Sequence, residues 1–467
     1  MSQTLRDTET RVSQYPAHPA PQRAQGPLFA WPLRLVHCLL SLLLWIPALV
    51  LLQSKRRSRL SLWQRLGFGP TREPAAPKCI LFHAASAGDV RALVALIEGL
   101  RGRQPGWQLV LSVQTASGMA MAKRCLGELQ CCAAPLDVSW CSSRFVRRLQ
   151  PDFLVLEYLE LWPSLLSSVH RSGARWALIN GRIHPQKMAR YQRLAAQLYR
   201  PMLSQCVFCT ARSDGDAQRL AALGAPSPRS HVHTKHALHG ASAQAPTAIP
   251  EQLEMLRTAL GLNGIERDAT CLIGSAHADE RKLILGALVQ ALRHLPRLTC
   301  LWVPRYPQEG AAVAREARAL GIATARLSRE CPLTATGARL LLIETVGDLA
   351  LLYHMAAVAV LGGSFGRRGG QNPVEPAVAG CLLLVGPNTV QVEPELEHLG
   401  PVVKRVRAAE LGERLRASFE KRLFAQLPKL AADTLAQPAR AAVVDLLAQL
   451  EQSVLGSGAA TGTGAAR

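Results

Sequence analysis

The sequence predicts an α/β protein made of two Rossmann-like halves, each a doubly wound parallel sheet. Three observations carry this. Short apolar runs alternate with amphipathic helical stretches through most of the 467 residues. The rhythm breaks once, over His236–Pro250, where Ala, Pro, Ser and Gly dominate, and then restarts. Polar motifs rich in Gly, Ser, Asp and Glu follow the apolar runs, where an open parallel sheet binds its ligands.

In the first half, Cys79–Phe82 reads as a strand and leads through Ala84-Ala-Ser-Ala-Gly-Asp89 into a helix to Leu100. Trp107–Val113 is a strand and Met119–Leu129 a helix. Phe153–Leu156, Trp176–Ile179 and Val207–Cys209 are further strands, with helices over Leu161–Val169 and Asp214–Leu223. In the second half, strands are expected at Thr270–Ile273, Thr299–Val303, Leu340–Ile343, Val358–Leu361 and Leu382–Val385. Helices separate them over 278–293, 310–319, 347–356 and 373–379, and Ala408–Leu455 is mostly helical in pattern.

The expected organisation is a disordered leader (1–26), a membrane anchor with basic flank (27–57), a first domain (58–235), a linker (236–250), a second domain (251–455) and a disordered tail (456–467). The anchor rests on Leu28–Leu52, which is strongly apolar and contains Trp31 and Trp45. Lys55, Arg56, Arg57 and Arg59 follow at once, which places the remainder on the cytoplasmic side. A spanning helix and one lying in the membrane face both fit.

The net charge of +21 suits nucleic acid, an anionic membrane or an anionic substrate. Aromatics make up only 5% and no nucleic-acid motif is present, so nucleic acid is not an expected partner. Twelve cysteines show no metal-ligand pairing, Cys206 and Cys209 forming a lone CxxC. They read as reduced, small apolar residues, and no metal site is expected.

The densest motif is Gly362-Gly-Ser-Phe-Gly-Arg-Arg-Gly-Gly-Gln-Asn-Pro-Val-Glu-Pro-Ala377. It reads strand, glycine loop, helix start, with Asn372 as N-cap, Pro373 at the first helical position and Glu375 in the first turn. Gly369 and Gly370 allow backbone N–H groups to approach a phosphate, and Arg367 and Arg368 add charge. Glu375 is suited to sugar hydroxyls. Ser275 and His277 follow an earlier strand, Arg305 the next, and Glu344-Thr345-Val-Gly347-Asp348 a third. In the first half Asp89 stands at a helix start, where the dipole favours the carboxylate. Each motif alone is also an ordinary helix cap.

Taken in order, HAASAGD, ELWPS, NGRI, GSAHADE, VPRYP, ETVGDLALLY and GGSFGRRGGQNPVEPAVAG resemble the Kdo transferase family from about residue 30 to about residue 400. The last of these is the most specific. The resemblance implies a GT-B fold, two Rossmann-like domains facing a cleft behind an N-terminal membrane-anchoring helix. It implies transfer of 3-deoxy-D-manno-octulosonic acid (Kdo) from CMP-Kdo to a lipid A precursor, with inversion and without a metal or other cofactor. Partners would be the CMP-sugar, the membrane lipid acceptor and an anionic membrane surface, at the cytoplasmic face of a bacterial inner membrane.

By position, Asp89 falls on the family's catalytic base. Ser275, His277, Arg305, Glu344, Thr345, Gly347, Asp348, Gly369, Gly370, Asn372 and Glu375 fall on the donor side. Ser86, Gly88, Glu160, Trp162, Asn180 and Arg182 fall on the acceptor side. Asp89 replaces a family glutamate, which withdraws the carboxylate by about 1.5 Å. Glu344 and Asp348 exchange lengths with the family acids, Tyr158 replaces a glutamate, and the family's lysine segment is not recognisable around Lys235. The competing readings are a catalytically impaired nucleotide-binding relative, a GT-B transferase with another acceptor, and a nucleotide-sugar epimerase.

Overall fold

This computed structural model describes residues 60–127, 129–238, 248–334, 337–427 and 435–456. The expected leader and anchor, and the expected tail beyond Gly456, thus lie outside the described residues. Among the described residues no helix is long and apolar enough to cross a membrane. The chain divides into two compact units, one running to His231 and resuming at Asp445, the other Val232–Val444.

The first unit carries seven parallel strands: β1 (Cys79–Ala84), β2 (Gln108–Val113), β3 (Gln130–Ala133), β4 (Phe153–Glu157), β5 (Arg175–Gly181), β6 (Cys209–Ala211) and β7 (Arg229–Ser230). Their order is β3-β2-β1-β4-β5-β6-β7. β1, β2 and β4 are buried at every position, which is why they read as unbroken apolar runs. The helix Ala87–Arg103 turns Val90, Leu93, Val94, Ile97 and Leu100 inward, a helical spacing that covers the sheet.

The second unit repeats the plan with β8 (Thr270–Ala276), β9 (Thr299–Pro304), β10 (Thr324–Leu327), β11 (Leu340–Ile343), β12 (Val358–Leu361), β13 (Leu382–Val385) and β14 (Val403–Arg405). Their order is β10-β11-β9-β8-β12-β13-β14, again all parallel. Alternate strand residues sort into two cores. Leu272, Leu301, Leu341, Ala359 and Leu383 line one face. Cys271, Ile273, Trp302, Leu342, Val360 and Leu384 line the other.

Both sheets therefore reverse direction once, between β1 and β4 and between β8 and β12. The helices after the paired strands leave to opposite faces, and a crevice opens at the strand ends. The register sets His83 beside Leu156 and Gly274 beside Leu361. The segments Ala84–Asp89 and Tyr158–Trp162 thus emerge together, and so do Ser275–Glu280 and Gly362–Asn372.

Several expectations shift. β3, β7, β10 and β14 went unforeseen. The helix expected over 119–129 spans Ala116–Leu126, capped by the Thr115 hydroxyl accepting from the Gly118 N–H. The strand expected at 207–209 lies at Cys209–Ala211. The stretch 347–356 splits into Leu349–Leu352 and a 3-10 turn over Tyr353–Met355. The region read as linker already contains structure: a 3-10 turn over Thr234–Leu238, and a helix from Ala248 to Leu260. The sequence places the last helix, Ala436–Leu455, wholly in the second domain, yet residues from Asp445 on belong to the first unit. There Leu447 packs on Gly99, and Glu451 accepts from Gln104 (2.9 Å) and pairs with Arg103 (3.2 Å).

The eleven described cysteines are free thiols, eight of them buried. Burial pushes the thiols of Cys79 and Cys209 up to about 12.

Trp302 is 1% exposed and its indole Nε1 is buried without a partner. Such a donor costs about 1–3 kcal/mol. Trp302→Phe removes it and is expected to destabilise by no more than about 1.5 kcal/mol. Trp302→Ala is expected to cost about 3–5 kcal/mol. Urea unfolding of the two variants tests this; equal losses would contradict the packing described for this face.

Candidate active site

In the first unit the β1 and β4 ends bring two carboxylates within electrostatic reach. Asp89 lies in the first turn of its helix, and its Oδ2 accepts from the Ser86 backbone N–H at 2.7 Å, the acid half of a capping box. Glu160 Oε2 accepts from the Trp162 indole N–H at 3.0 Å. Burial raises the Glu160 pKa, the Asp89 charge raises it further, and the Trp162 bond opposes both. The Trp162 ring stands edge-on to His83, centroids 6.3 Å apart. His83 is fully buried and accepts or donates at Nδ1 with the Ser112 hydroxyl at 2.9 Å. Desolvation lowers it to about 4, so it is a neutral ring beside Trp162.

The other acceptor-side residues lie differently. Ser86 and Gly88 are exposed at the helix start. Asn180, fully buried with φ +51°, donates its N–H to the Thr210 hydroxyl at 3.3 Å. Arg182 is 9% exposed, and its charge acts on Tyr158, together with that of Arg212. Tyr158, in place of a family acid, holds a left-handed φ of +65° and donates its N–H to the Ile179 carbonyl at 3.0 Å.

In the second unit, β8 and β12 present the donor-side motifs. Ser275 sits at φ +55° directly after Gly274. His277 is 7% exposed, and its Nε2 faces the Gln371 side-chain amide nitrogen at 3.1 Å. Burial lowers its pKa, Arg368 and Arg305 lower it further, and Asp279 opposes them. A neutral ring accepting from Gln371 satisfies both groups. Arg305 leaves β9 exposed, 5.9 Å from the Tyr306 ring centroid. Arg305, Arg367 and Arg368 form no ion pair with a described carboxylate, so their positive field is uncompensated by a side chain within ion-pair distance.

The acids after β11 are already engaged. Glu344 makes a two-point pair with Arg326 of β10, at 2.8 and 3.0 Å. Its carboxylate lies against Gly310, where a Cβ would overlap it. Asp348 pairs with Arg329 at 3.2 Å. Thr345 Oγ1 is buried without a partner, and Gly347 takes φ +97°. Arg326 and Arg329 were not anticipated; they lie on and after an edge strand that the sequence pattern does not reveal.

The glycine loop also differs from expectation. Gly369 and Gly370 do need positive φ, +85° and +90°. Their missing side chains, however, make room for Gln391 and Val392. The Gly370 N–H bonds to the Gly363 carbonyl at 2.9 Å, so that amide does not face a ligand. Asn372 Oδ1 accepts from the Val374 N–H at 3.1 Å, opening a helix over Val374–Val378 rather than 373–379. Glu375 is half-buried and close enough for its charge to add to the burial that raises the Tyr353 hydroxyl. Lys235 pairs with Glu395 at 3.0 Å. Among the described residues no group of three His, Cys, Asp or Glu side chains is placed to hold a metal ion.

Two Rossmann-like units with polar motifs at their switch points are the architecture of the GT-B proteins. The comparisons narrow the class. Residues 60–236 match the family described as 3-Deoxy-D-manno-octulosonic-acid transferase (kdotransferase). The 3-deoxy-D-manno-octulosonic acid transferase of Bordetella pertussis is 32% identical over 337 residues, covering 70% of this chain and 75% of that protein. That of Haemophilus influenzae is 28% identical over 338 residues, covering 71% and 76%. Among solved structures, a UDP-GlcNAc 2-epimerase from Neisseria meningitidis has a TM-score of 0.56 over 79% of this chain and 100% of its own, at 13% identity, a likeness of fold alone. The chain belongs to the 3-deoxy-D-manno-octulosonic acid transferase family and is a glycosyltransferase.

The carboxylate pair yields a test. The Glu160 pKa is raised, so its charged form is disfavoured in the fold: its contribution to stability is full below the unfolded glutamate value and lost as pH rises through the folded one. Asp89→Asn keeps the bond to Ser86 and removes the neighbouring charge. The Glu160 side chain, followed by carbon NMR titration, is expected to ionise at lower pH in this variant. An unchanged titration would mean the two acids do not interact.

Proposed function

We propose that this chain transfers Kdo from CMP-Kdo to a lipid A precursor, a step of lipopolysaccharide core biosynthesis. The family membership supports the reaction. The structural observation that carries donor binding is the positive charge of Arg305 and Arg368 acting on His277, with the exposed Arg367 next to Arg368 on the β12 loop. A CMP-sugar acid brings a phosphate and a carboxylate, and guanidinium groups suit both. Ser275, Glu344, Thr345, Gly347, Asp348, Gly369, Gly370, Asn372 and Glu375 shape the same strand-end region. Glu344 and Asp348 act there through Arg326 and Arg329 unless the donor displaces those pairs.

Asp89 is the base. Its carboxylate takes the proton of the acceptor hydroxyl. That oxygen forms the bond to the anomeric carbon, and the bond from this carbon to the phosphate oxygen breaks with its electron pair leaving on CMP. Attack opposite the leaving group inverts the centre. Glu160, its pKa raised by burial and by the Asp89 charge, borders Asp89 on this side, and Trp162 fixes Glu160. Ser86, Gly88, Asn180 and Arg182 border the acceptor side.

The enzyme works at the cytoplasmic face of the inner membrane. This reading is supported by the apolar stretch Leu28–Leu52 and the basic run Lys55–Arg59 of the sequence. A net charge of +21 favours an anionic bilayer and a phosphorylated acceptor.

Purified full-length protein supplied with CMP-Kdo and lipid A precursor is expected to release CMP and form Kdo-bearing lipid. Asp89→Ala is expected to lower turnover at least about 100-fold while CMP still binds. A protein lacking residues 1–59 is expected to leave the membrane fraction but retain CMP binding. Absence of turnover beside an active control would sink the reaction, full turnover by Asp89→Ala would remove the assigned base, and membrane retention of the truncated protein would refute the anchor.

A further inference from the structure

Glu280 is completely buried, yet it carries a carboxylate. It follows β8 at the start of the helix Arg281–His294, in the turn after His277. Its Oε1 accepts from the backbone N–H of His277 at 2.8 Å and of Gly363 at 2.6 Å; Oε2 accepts from the N–H of Phe365 at 3.2 Å. The neighbouring Asp279 Oδ2 accepts from the Arg367 N–H at 2.9 Å. Three alternate amides of the β12 loop, at 363, 365 and 367, thus point at two consecutive acids from the adjacent strand end. The opposite edge of the loop is held as well. Gly386 N–H donates to the Ser364 hydroxyl at 2.9 Å, Asn388 N–H to the Ser364 carbonyl at 3.0 Å, and the Asn388 side chain to the Gly366 carbonyl at 2.9 Å.

These bonds span the β8/β12 switch point. The segment they hold leads directly into Arg367 and Arg368, and through His277 into Gln371. A buried carboxylate is costly, and burial does raise the Glu280 pKa, against the pull of its three N–H donors. Apolar packing would suit this depth better if only the fold were at stake.

We propose that Glu280 is a positioning residue of the donor site, whose side-chain carboxyl group, by accepting from the loop amides, sets the loop that presents Arg367 and Arg368 to the CMP-sugar. This rests on the donor reading given above. Glutamine is nearly isosteric but offers one acceptor oxygen in place of two. Its amide N–H₂ then meets the N–H of Phe365 or of Gly363, and one anchor is lost. The loop loosens at the donor end while the acids of the first unit are untouched.

The test uses the full-length enzyme with CMP-Kdo and lipid A precursor. Glu280→Gln is expected to raise the CMP-Kdo KM about tenfold, equivalent to about 1.4 kcal/mol. The acceptor KM is expected to stay within twofold. Glu280→Asp retains the carboxyl group at shorter reach and is expected to restore part of the donor affinity. A donor KM within twofold of wild type overturns the inference. So does a parallel rise of both KM values, the outcome of a merely structural role. Should Glu280→Gln fail to fold, Asp279→Asn carries the test, with a donor KM raised about threefold expected and an unchanged one overturning it. Wild-type protein that binds no CMP overturns the donor reading itself, whereas active wild type with an indifferent Glu280→Gln overturns only the role of Glu280.

Discussion

The constraint on which the rest depends is the single reversal of strand order in each parallel sheet. Parallel strands need crossovers, and crossovers on both sides of one point send their helices to opposite faces. Two strand ends are then left side by side with nothing above them. In the first unit these ends deliver His83 to Asp89 and Tyr158 to Trp162; in the second, Ser275 to Glu280 and Gly362 to Asn372. The chemistry-bearing residues are neighbours because the topology leaves them uncovered together.

The two switch points are built with opposite electrostatics. At β1/β4 two carboxylates lie within electrostatic reach, one raising the pKa of the other, and a neutral histidine is buried against Trp162. That suits removal of a proton. At β8/β12 Glu280 is buried and both it and the exposed Asp279 accept from backbone amides, while Arg368 and Arg305 lower the pKa of His277. That suits an anionic ligand. The same two residue types serve opposite ends because burial and partners, rather than composition, decide what each contributes.

Much of the fold was legible in the sequence. The central strands are buried on both faces, so their apolar runs stand out. The four missed strands, β3, β7, β10 and β14, are the four sheet edges. Each is short and partly or wholly exposed, so it carries little apolar signal. The loss of β10 also hid Arg326 and Arg329, and with them the state of Glu344 and Asp348. Glu280 stood in view within GSAHADE, but its reach to residues 363 and 365 is a fact of three dimensions, and helix-start acids usually serve as caps. In the glycine loop the positive φ of Gly369 and Gly370 is legible from residue type, whereas the packing of Gln391 and Val392 against them is a tertiary contact that the sequence does not show.

The most direct measurement is backbone hydrogen exchange of the full-length protein with and without CMP. Slowed exchange concentrated in 274–280, 305–306 and 362–372, with 84–89 and 157–162 unchanged, is the result expected if the β8/β12 switch point holds the donor. Slowing confined to the segments after β1 and β4, or absent everywhere at saturating CMP, would contradict it.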